Sequence, residues 1–457
     1  MQNGESSKRV RGCLGCGGCL LVIVVLIVAV PTIVFFTWSA RSSREAEAEL
    51  AQIRAAGEPT TPGELQSFYP TTPAERDAAR RWLAAVQPLE GAAFQSAAEK
   101  LPIVGQSETE IPPPGQPWPD LQAAEKLLQQ YEGSLQQLHA AAEAGRPARY
   151  PADFSQGLSM RLEHVQSLRA GTRLLLLEAH VRAHRGDAQG AARSIHAIFM
   201  LADSLRQEPV FMSQLVRYAL DGIGQAVLQR QLPAVAFPDS DLDRIQAHLR
   251  AIDYSEGVQR AMMGERVMGI TAIRDPSSMG PSGDLPVVSS GPFRNANLAN
   301  YLKYMDRIVA ATKLPWPQAR LETAQIGGDI EAATSGGSVL SSPGHIMARL
   351  ALPGTSRFLD AAVRATASNH ATDAVIAVER FQRAHGRLPA KLEELVPKYL
   401  PQVPIDPFDG QPLRYVLRNQ QYVIYSVGED GVDNGGQGND AGQPDLLFPV
   451  QRRQSEP

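Results

Sequence analysis

From Gly12 to Ala40 the chain carries no charged residue, and Leu20 to Phe36 is dominated by Val, Ile and Leu. A bilayer core roughly 30 Å thick is crossed by about 20 apolar residues in a helix, so this run predicts one membrane-spanning segment over 13–38. Phe35, Phe36 and Trp38 stand at its far end, where aromatic side chains favour the membrane–water interface. Lys8, Arg9 and Arg11 precede the run, while Arg41 and Arg44 follow it amid Glu45, Glu47 and Glu49. That bias places the short tail 1–12 in the cytoplasm and the bulk of the 457 residues outside. A cleaved signal peptide fits less well: the apolar core is too long, and Trp38 is bulky where the cleavage site needs a small residue. The expected location is the inner, cytoplasmic membrane, with a single pass.

All three cysteines, Cys13, Cys16 and Cys19, sit at the inner edge of this run. The spacing is that of metal or redox motifs. Without a fourth ligand or a folded scaffold, small packing residues or lipidation sites are the better reading. The exterior region has no cysteine and must be stable without disulfides. The chain holds 44 Lys and Arg against 48 Asp and Glu. The mild negative balance argues against nucleic acid or anionic lipid as a partner of the exterior region.

Alternating three- and four-residue apolar spacing predicts a helical exterior. Leu121, Ala124, Leu128, Tyr131, Leu135 and Leu138 form a one-sided stripe. Residues 161–185 and 187–205 read as a helical hairpin, with Gly186 suited to the end of the first helix and Asp187 to the N-cap of the second. This pair is similar to one tetratricopeptide unit, with no second copy at a fixed period. Further helices are expected over 209–232, 239–251, 255–273, 295–313, 316–333 and 355–385. Residues 39–118 form a membrane-proximal helical segment and linker, and 119–345 a helical domain. Beyond Pro389 the pattern changes: Leu392 and Leu395 mark a short helix, and 413–417 with 422–426 alternate polar and apolar like an antiparallel hairpin. The fold class is therefore mainly α, with a membrane helix at the N-terminus and a small α+β unit over 355–448, followed by a tail, 449–457.

That unit carries an ordered series of motifs. They are Phe381, Gly386-Arg387-Leu388-Pro389, Asp406-Pro407-Phe408, Tyr415, Tyr422, Ser426-Val427-Gly428-Glu429-Asp430-Gly431 and a closing Asp445-Leu446. The series resembles the globular domain of the major pseudopilin of type II secretion, over under a fifth of the chain. The resemblance implies a calcium-binding loop with side-chain ligands at Asp430 and Asp445 and backbone carbonyls near Val427; Asp433, Asn439 and Asp440 are further oxygens that the match does not fix. Carboxylates and carbonyls are the ligands that calcium prefers, and the loop's spacing does not follow the EF-hand pattern. The membrane run lacks the pseudopilin leader, cleavage site and early Glu, so the unit would be a module set on another chain.

Elsewhere the chemistry is sparse. His180 and His184 lie one helical turn apart, with no third ligand marked, and read as a polar face without catalytic metal. Glu265-Arg266 reads as an ion pair at a packing joint. No nucleophile elbow, Ser-x-x-Lys, P-loop or dinucleotide fingerprint occurs. The sequence thus points to a non-enzymatic anchored scaffold that binds an unidentified extracytoplasmic protein, with a role linked to secretion. The alternative is a hydrolase of cell-envelope material with its site in a groove of the helical region.

Overall fold

A computed structural model describes residues 9–279, 291–334, 343–418, 421–437 and 445–449. The chain is mostly helical. Helix α1 spans Arg9–Ala55, α2 Pro62–Phe68, α3 Pro73–Val86 and α4 Ala92–Ala98. Then come α5 (Leu121–Gln130), α6 (Glu132–Ala144), α7 (Glu163–His184), α8 (Ala188–Asp203) and α9 (Phe211–Gln231). They are followed by α10 (Asp239–Ala251), α11 (Tyr254–Arg274), α12 (Gly291–Ala311), α13 (Trp316–Thr334) and α14 (Ile346–His385). Strands β1 (Arg414–Arg418), β2 (Gln421–Ser426) and β3 (Leu446–Pro449) make one antiparallel sheet in the order β1-β2-β3.

Local chemistry accounts for several boundaries. Thr61-Pro62-Gly63-Glu64 and Thr72-Pro73-Ala74-Glu75 each form a capping box, with the Thr side chain accepting the Glu amide and the Glu side chain reaching back. Proline at the first helical position has no amide to leave unpaired. The α7–α8 hairpin turns at Gly186, whose φ is +76°, and Asp187 accepts the Gly190 amide at 2.8 Å. The stripe expected as one helix over 121–138 is broken. Tyr131 leaves helical geometry and packs its ring edge-on to Phe94 at 5.0 Å, which separates α5 from α6. Helix α14 starts at Ile346 rather than 355, running through Pro353, because Ile346, Met347 and Leu352 are buried below it.

Three large apolar clusters, with a smaller one around Leu65, Phe154 and Val267, share these helices. One gathers α3 to α8 around Trp82, Leu138, Leu175 and Ile198. A second joins Phe199, Leu228 and Leu242 to Val375, Leu395, Tyr422 and Ile424, so the C-terminal sheet shares a core with α8, α9 and α10. A third holds α1 against α11, α12, α13 and α14 through Leu50, Ile53, Met262, Leu302 and Phe358. The first half of α14 belongs to the third cluster and its second half to the second, making it the spine of the molecule.

Helix α1 has two characters. Ala46, Leu50 and Ile53 are buried in the third cluster. Upstream, Val25, Ile27, Val28, Val30, Ile33, Val34, Phe35 and Phe36 project at 40–67% exposure. Among the described residues no helix is long and apolar enough to cross a membrane; the side chains of 1–24 and 26, which complete the apolar run, lie outside them. Helices α1 and α12 run side by side in the same direction. Phe35 and Trp38 meet Phe293 at ring distances of 6.3 and 5.5 Å. Near the other end, Arg266 of α11, with no exposed surface, bonds Asp306 of α12 at 2.9 Å and Glu58, just past α1, at 2.8 Å. The sequence reading of Glu265-Arg266 as a joint is met in Arg266.

Breaking a buried ion pair from one side costs about 3–5 kcal/mol, because the partner charges lose their compensation. Arg266→Ala is therefore expected to destabilise the chain by about 3 kcal/mol, read as a lowered denaturation midpoint by circular dichroism. Arg266→Lys should recover only part of the loss, since one ammonium cannot reach both carboxylates as the guanidinium fork does.

Candidate functional site

The C-terminal loop is organised around a residue the sequence reading left inside a turn motif. Asp406 is fully buried. Its Oδ1 accepts the Phe408 amide at 3.0 Å and the Ser426 hydroxyl at 2.9 Å. Its Oδ2 accepts the Val427 amide at 2.9 Å and Arg414 Nη1 at 2.9 Å. Arg414 also pairs with Asp409 and approaches Asp433 at 3.7 Å. One carboxylate thus ties the turn, β1 and the end of β2 together.

The expected ligands fall at separate points along this frame. Asp445 is buried and accepts the Asn434 amide at 3.2 Å and the Gly436 amide at 2.7 Å, one on each oxygen. Asp433 accepts the Tyr425 hydroxyl at 3.0 Å and the Gly435 amide at 2.9 Å. Burial and this carboxylate push the Tyr425 pKa up to about 12. Asp430 is exposed and accepts the Val432 amide at 3.0 Å. Val427 is buried. Asp440 and Asn439 lie outside the described residues. Glu429 turns away to Arg364, at 2.6 and 2.8 Å, and its carbonyl accepts Arg320 at 2.9 Å. Arginines therefore offset the loop's negative charge at two positions, Glu429 and Asp433.

The donor chemistry suits a hard cation. A carboxylate has about four lone-pair sites, and the amides on Asp445 and Asp430 leave several open. Gly428, Gly431, Gly435 and Gly436 all have φ near +70°, which lets the loop turn sharply between its carboxylates. Among the described residues no three His, Cys, Asp or Glu side chains converge on one point. That finding concerns side chains alone, whereas calcium also draws on carbonyl oxygens and water.

A second candidate is a cleft of about 1130 Å³ between α5–α6 and α7–α8. At its base His139 Nε2 meets Glu178 Oε2 at 2.7 Å, and the same oxygen accepts the Ser194 hydroxyl at 3.0 Å. Arg182 reaches Glu178 Oε1 at 3.3 Å. Burial raises the Glu178 carboxyl, but the hydrogen bond and charge of His139, with Ser194 and Arg182, outweigh it and hold the pKa below its usual value. The order is Ser–Glu–His. A nucleophilic serine needs a base that can take its proton and is itself oriented by a third group. Ser194 faces a carboxylate and is fully buried. On the rim, Arg185 pairs with Glu125 and Arg193 with Glu143, both at 2.6 Å. The cleft offers a charged, self-paired surface.

His180 and His184 do not form a polar surface face, which corrects that expectation. His180 is buried, and desolvation pushes its pKa down to about 3. His184 turns Nδ1 to the His180 carbonyl at 2.9 Å, and its ring lies 5.1 Å from Trp118.

The sequence also gave no sign of a buried polar seam on α9. Gln214, Arg217, Asp221 and Gln225 recur every three or four residues and are all buried. Asp221 Oδ2 accepts the Tyr254 hydroxyl at 2.8 Å, while Oδ1 has no partner. Arg217 lies 5.0 Å over the Tyr254 ring and bonds Asp203 at 3.3 Å.

No family model matches this chain, and neither a curated protein nor a solved structure matches it.

Burial pushes the Asp221 pKa up to about 7, from an ordinary 3.8, against the pull of Arg217 and Tyr254. Between those values the native state holds a proton that the unfolded chain has released, so stability falls as pH rises from about 4 to about 7. Asp221→Asn removes this loss. The melting temperature of the variant relative to wild type should climb across that interval and level off above it; a constant difference would show that Asp221 titrates normally.

Proposed function

We propose that this is a single-pass membrane protein whose extracytoplasmic helical body binds and positions a protein partner. The observation that carries the reading is α1. It is one unbroken helix of 47 residues that begins before the apolar run and ends inside the third apolar cluster. Eight exposed Val, Ile and Phe side chains along it have no role in water, where contiguous apolar surface marks a contact. The aromatic group of Phe35, Trp38 and Phe293 stands where the run meets the body, the place where membrane proteins carry interfacial aromatics. On this reading the N-terminus is cytoplasmic and the body is mounted on the inner membrane. Self-paired clefts such as that above Glu178 suit recognition of a charged protein surface, and the buried serine there lends no support to a hydrolase.

The C-terminal unit is, in this proposal, a module of pseudopilin type linked to secretion. When bound, calcium would supply the positive charge that the loop lacks at Asp430 and Asp445. Asp430, Asp445 and the Val427 carbonyl would hold it, with Asp433 and Asp440 as further oxygens. Asp406 would keep the loop's entry fixed whether or not the ion is present, because its four donors come from the protein.

Two outcomes follow. A phosphatase reporter fused after Pro457 should be active only outside the cytoplasm; activity confined to the cytoplasm would defeat the topology. Calcium should raise the melting temperature of the full chain relative to chelator, since a ligand that binds only the folded state adds about 2.7 kcal/mol at a hundredfold excess over its Kd. The rise should vanish in an Asp430→Ala/Asp445→Ala variant. An equal rise in that variant would place the ion elsewhere, and no rise in wild type would remove it.

A further inference from the structure

A groove of about 770 Å³ lies between α13 and α14, over part of α12. Its volume is in the range of small-molecule sites. The floor is apolar: Ile308, Ile326, Ile330 and Leu352 line it and are buried beneath it. Gly327 opens one wall, since a Cβ built there meets nothing within 4 Å. On the α14 wall stand Arg349 and Arg357, both exposed.

These two arginines differ from the others around them. Arg307 pairs with Glu322 and Asp329, and Arg320 with Asp360. Among the described residues Arg349 and Arg357 have no ion pair and no side-chain hydrogen bond. One carboxylate, Glu331, lines the groove and pairs with neither. Eight residues of helix separate them by about 12 Å, a span that two guanidinium arms can close around one phosphate. The chain's overall negative balance conceals this local excess of positive charge.

Position selects the occupant. Helix α12 runs parallel to α1 and starts beside Phe35 and Trp38. The start of α14 is tied to the first turns of α12, where Asn300 donates to the Gly344 carbonyl at 2.8 Å and the Met347 amide to Asn297 at 3.1 Å. The Arg349 end of the groove therefore lies on the half of the body from which the apolar part of α1 projects, and Ile308 and Arg357 line its other end. We propose that it holds one anionic phospholipid drawn from the bilayer, with an acyl chain on the Ile326–Ile330–Leu352 floor and the phosphate between Arg349 and Arg357. Arginine forks match phosphate oxygens, and charge-assisted, bidentate hydrogen bonds of this kind are the strong ones. The lipid would fix the body's tilt against the membrane. This inference rests on the anchor reading above.

Native mass spectrometry of the delipidated full chain in detergent, titrated with phosphatidylglycerol or phosphatidylcholine, tests it. One phosphatidylglycerol should be retained, at least about tenfold more tightly than phosphatidylcholine. Arg349→Ala/Arg357→Ala should abolish that preference. Gly327→Leu, which adds a side chain where a Cβ meets nothing within 4 Å, should weaken retention of both lipids. Equal retention by wild type and both variants would assign the lipid to α1 and overturn the proposal, as would the absence of headgroup preference in wild type. Alkaline carbonate washing of membranes from the same cells reads the anchor separately. Loss of the chain from the membrane fraction defeats the anchor, and failure of the variants to change lipid retention defeats the groove alone.

Discussion

The architecture depends on the burial of the last third of α1. A helix of this length is only as straight as the contacts that hold it, and Ala46, Leu50 and Ile53 sink into the same cluster as Met262, Leu302 and Phe358. Burying Leu50 and Ile53 contributes about 1.5–3 kcal/mol each. Arg266 closes the far end by gripping Glu58 and Asp306 together, so the segment leaving α1 and the parallel α12 are fixed to α11 at one point. Whatever surrounds the apolar half of α1 is thereby mechanically joined to the body.

From there the order passes along α14. Its first half completes the cluster around α1, and its second half supports the C-terminal sheet. The join to the helical body is polar as well as apolar. Asp373 takes both Arg250 nitrogens, at 2.7 and 2.9 Å, and accepts from Gln246 at 2.6 Å. The C-terminal unit is therefore built into the body, and a ligand in its loop would act on a structure continuous with α1 and α12.

Much of this was legible in sequence where a local rule decides. Gly186 and Asp187 fixed the α7–α8 turn, and the alternation of 422–426 fixed β2. The start of α14 was placed at 355, past Pro353 and Gly354, whereas burial of Leu352 and Phe358 on either side carries the helix through from Ile346. Strand β3 lay beyond the visible pattern, since four residues show no periodicity until they pair with β2. The candidate loop was found from its glycines and carboxylates, but the residue that holds it, Asp406, looked like an ordinary turn former. The polar seam of α9 was the hardest to see. A stripe of Gln214, Arg217, Asp221 and Gln225 has the spacing of a solvated face, and only the packing of Tyr254 and α14 around it turns that face inward.

The central claim is that α1 enters the body as a rigid, buried helix and not as a loose tether. Hydrogen exchange of the full chain in lipid nanodiscs, followed by mass spectrometry, tests this most directly. The account predicts that amides of residues 46–54 exchange as slowly as those in the middle of α9 and α14, opening only with the whole fold. Exchange of that segment within seconds, with α9 and α14 still protected, would contradict it.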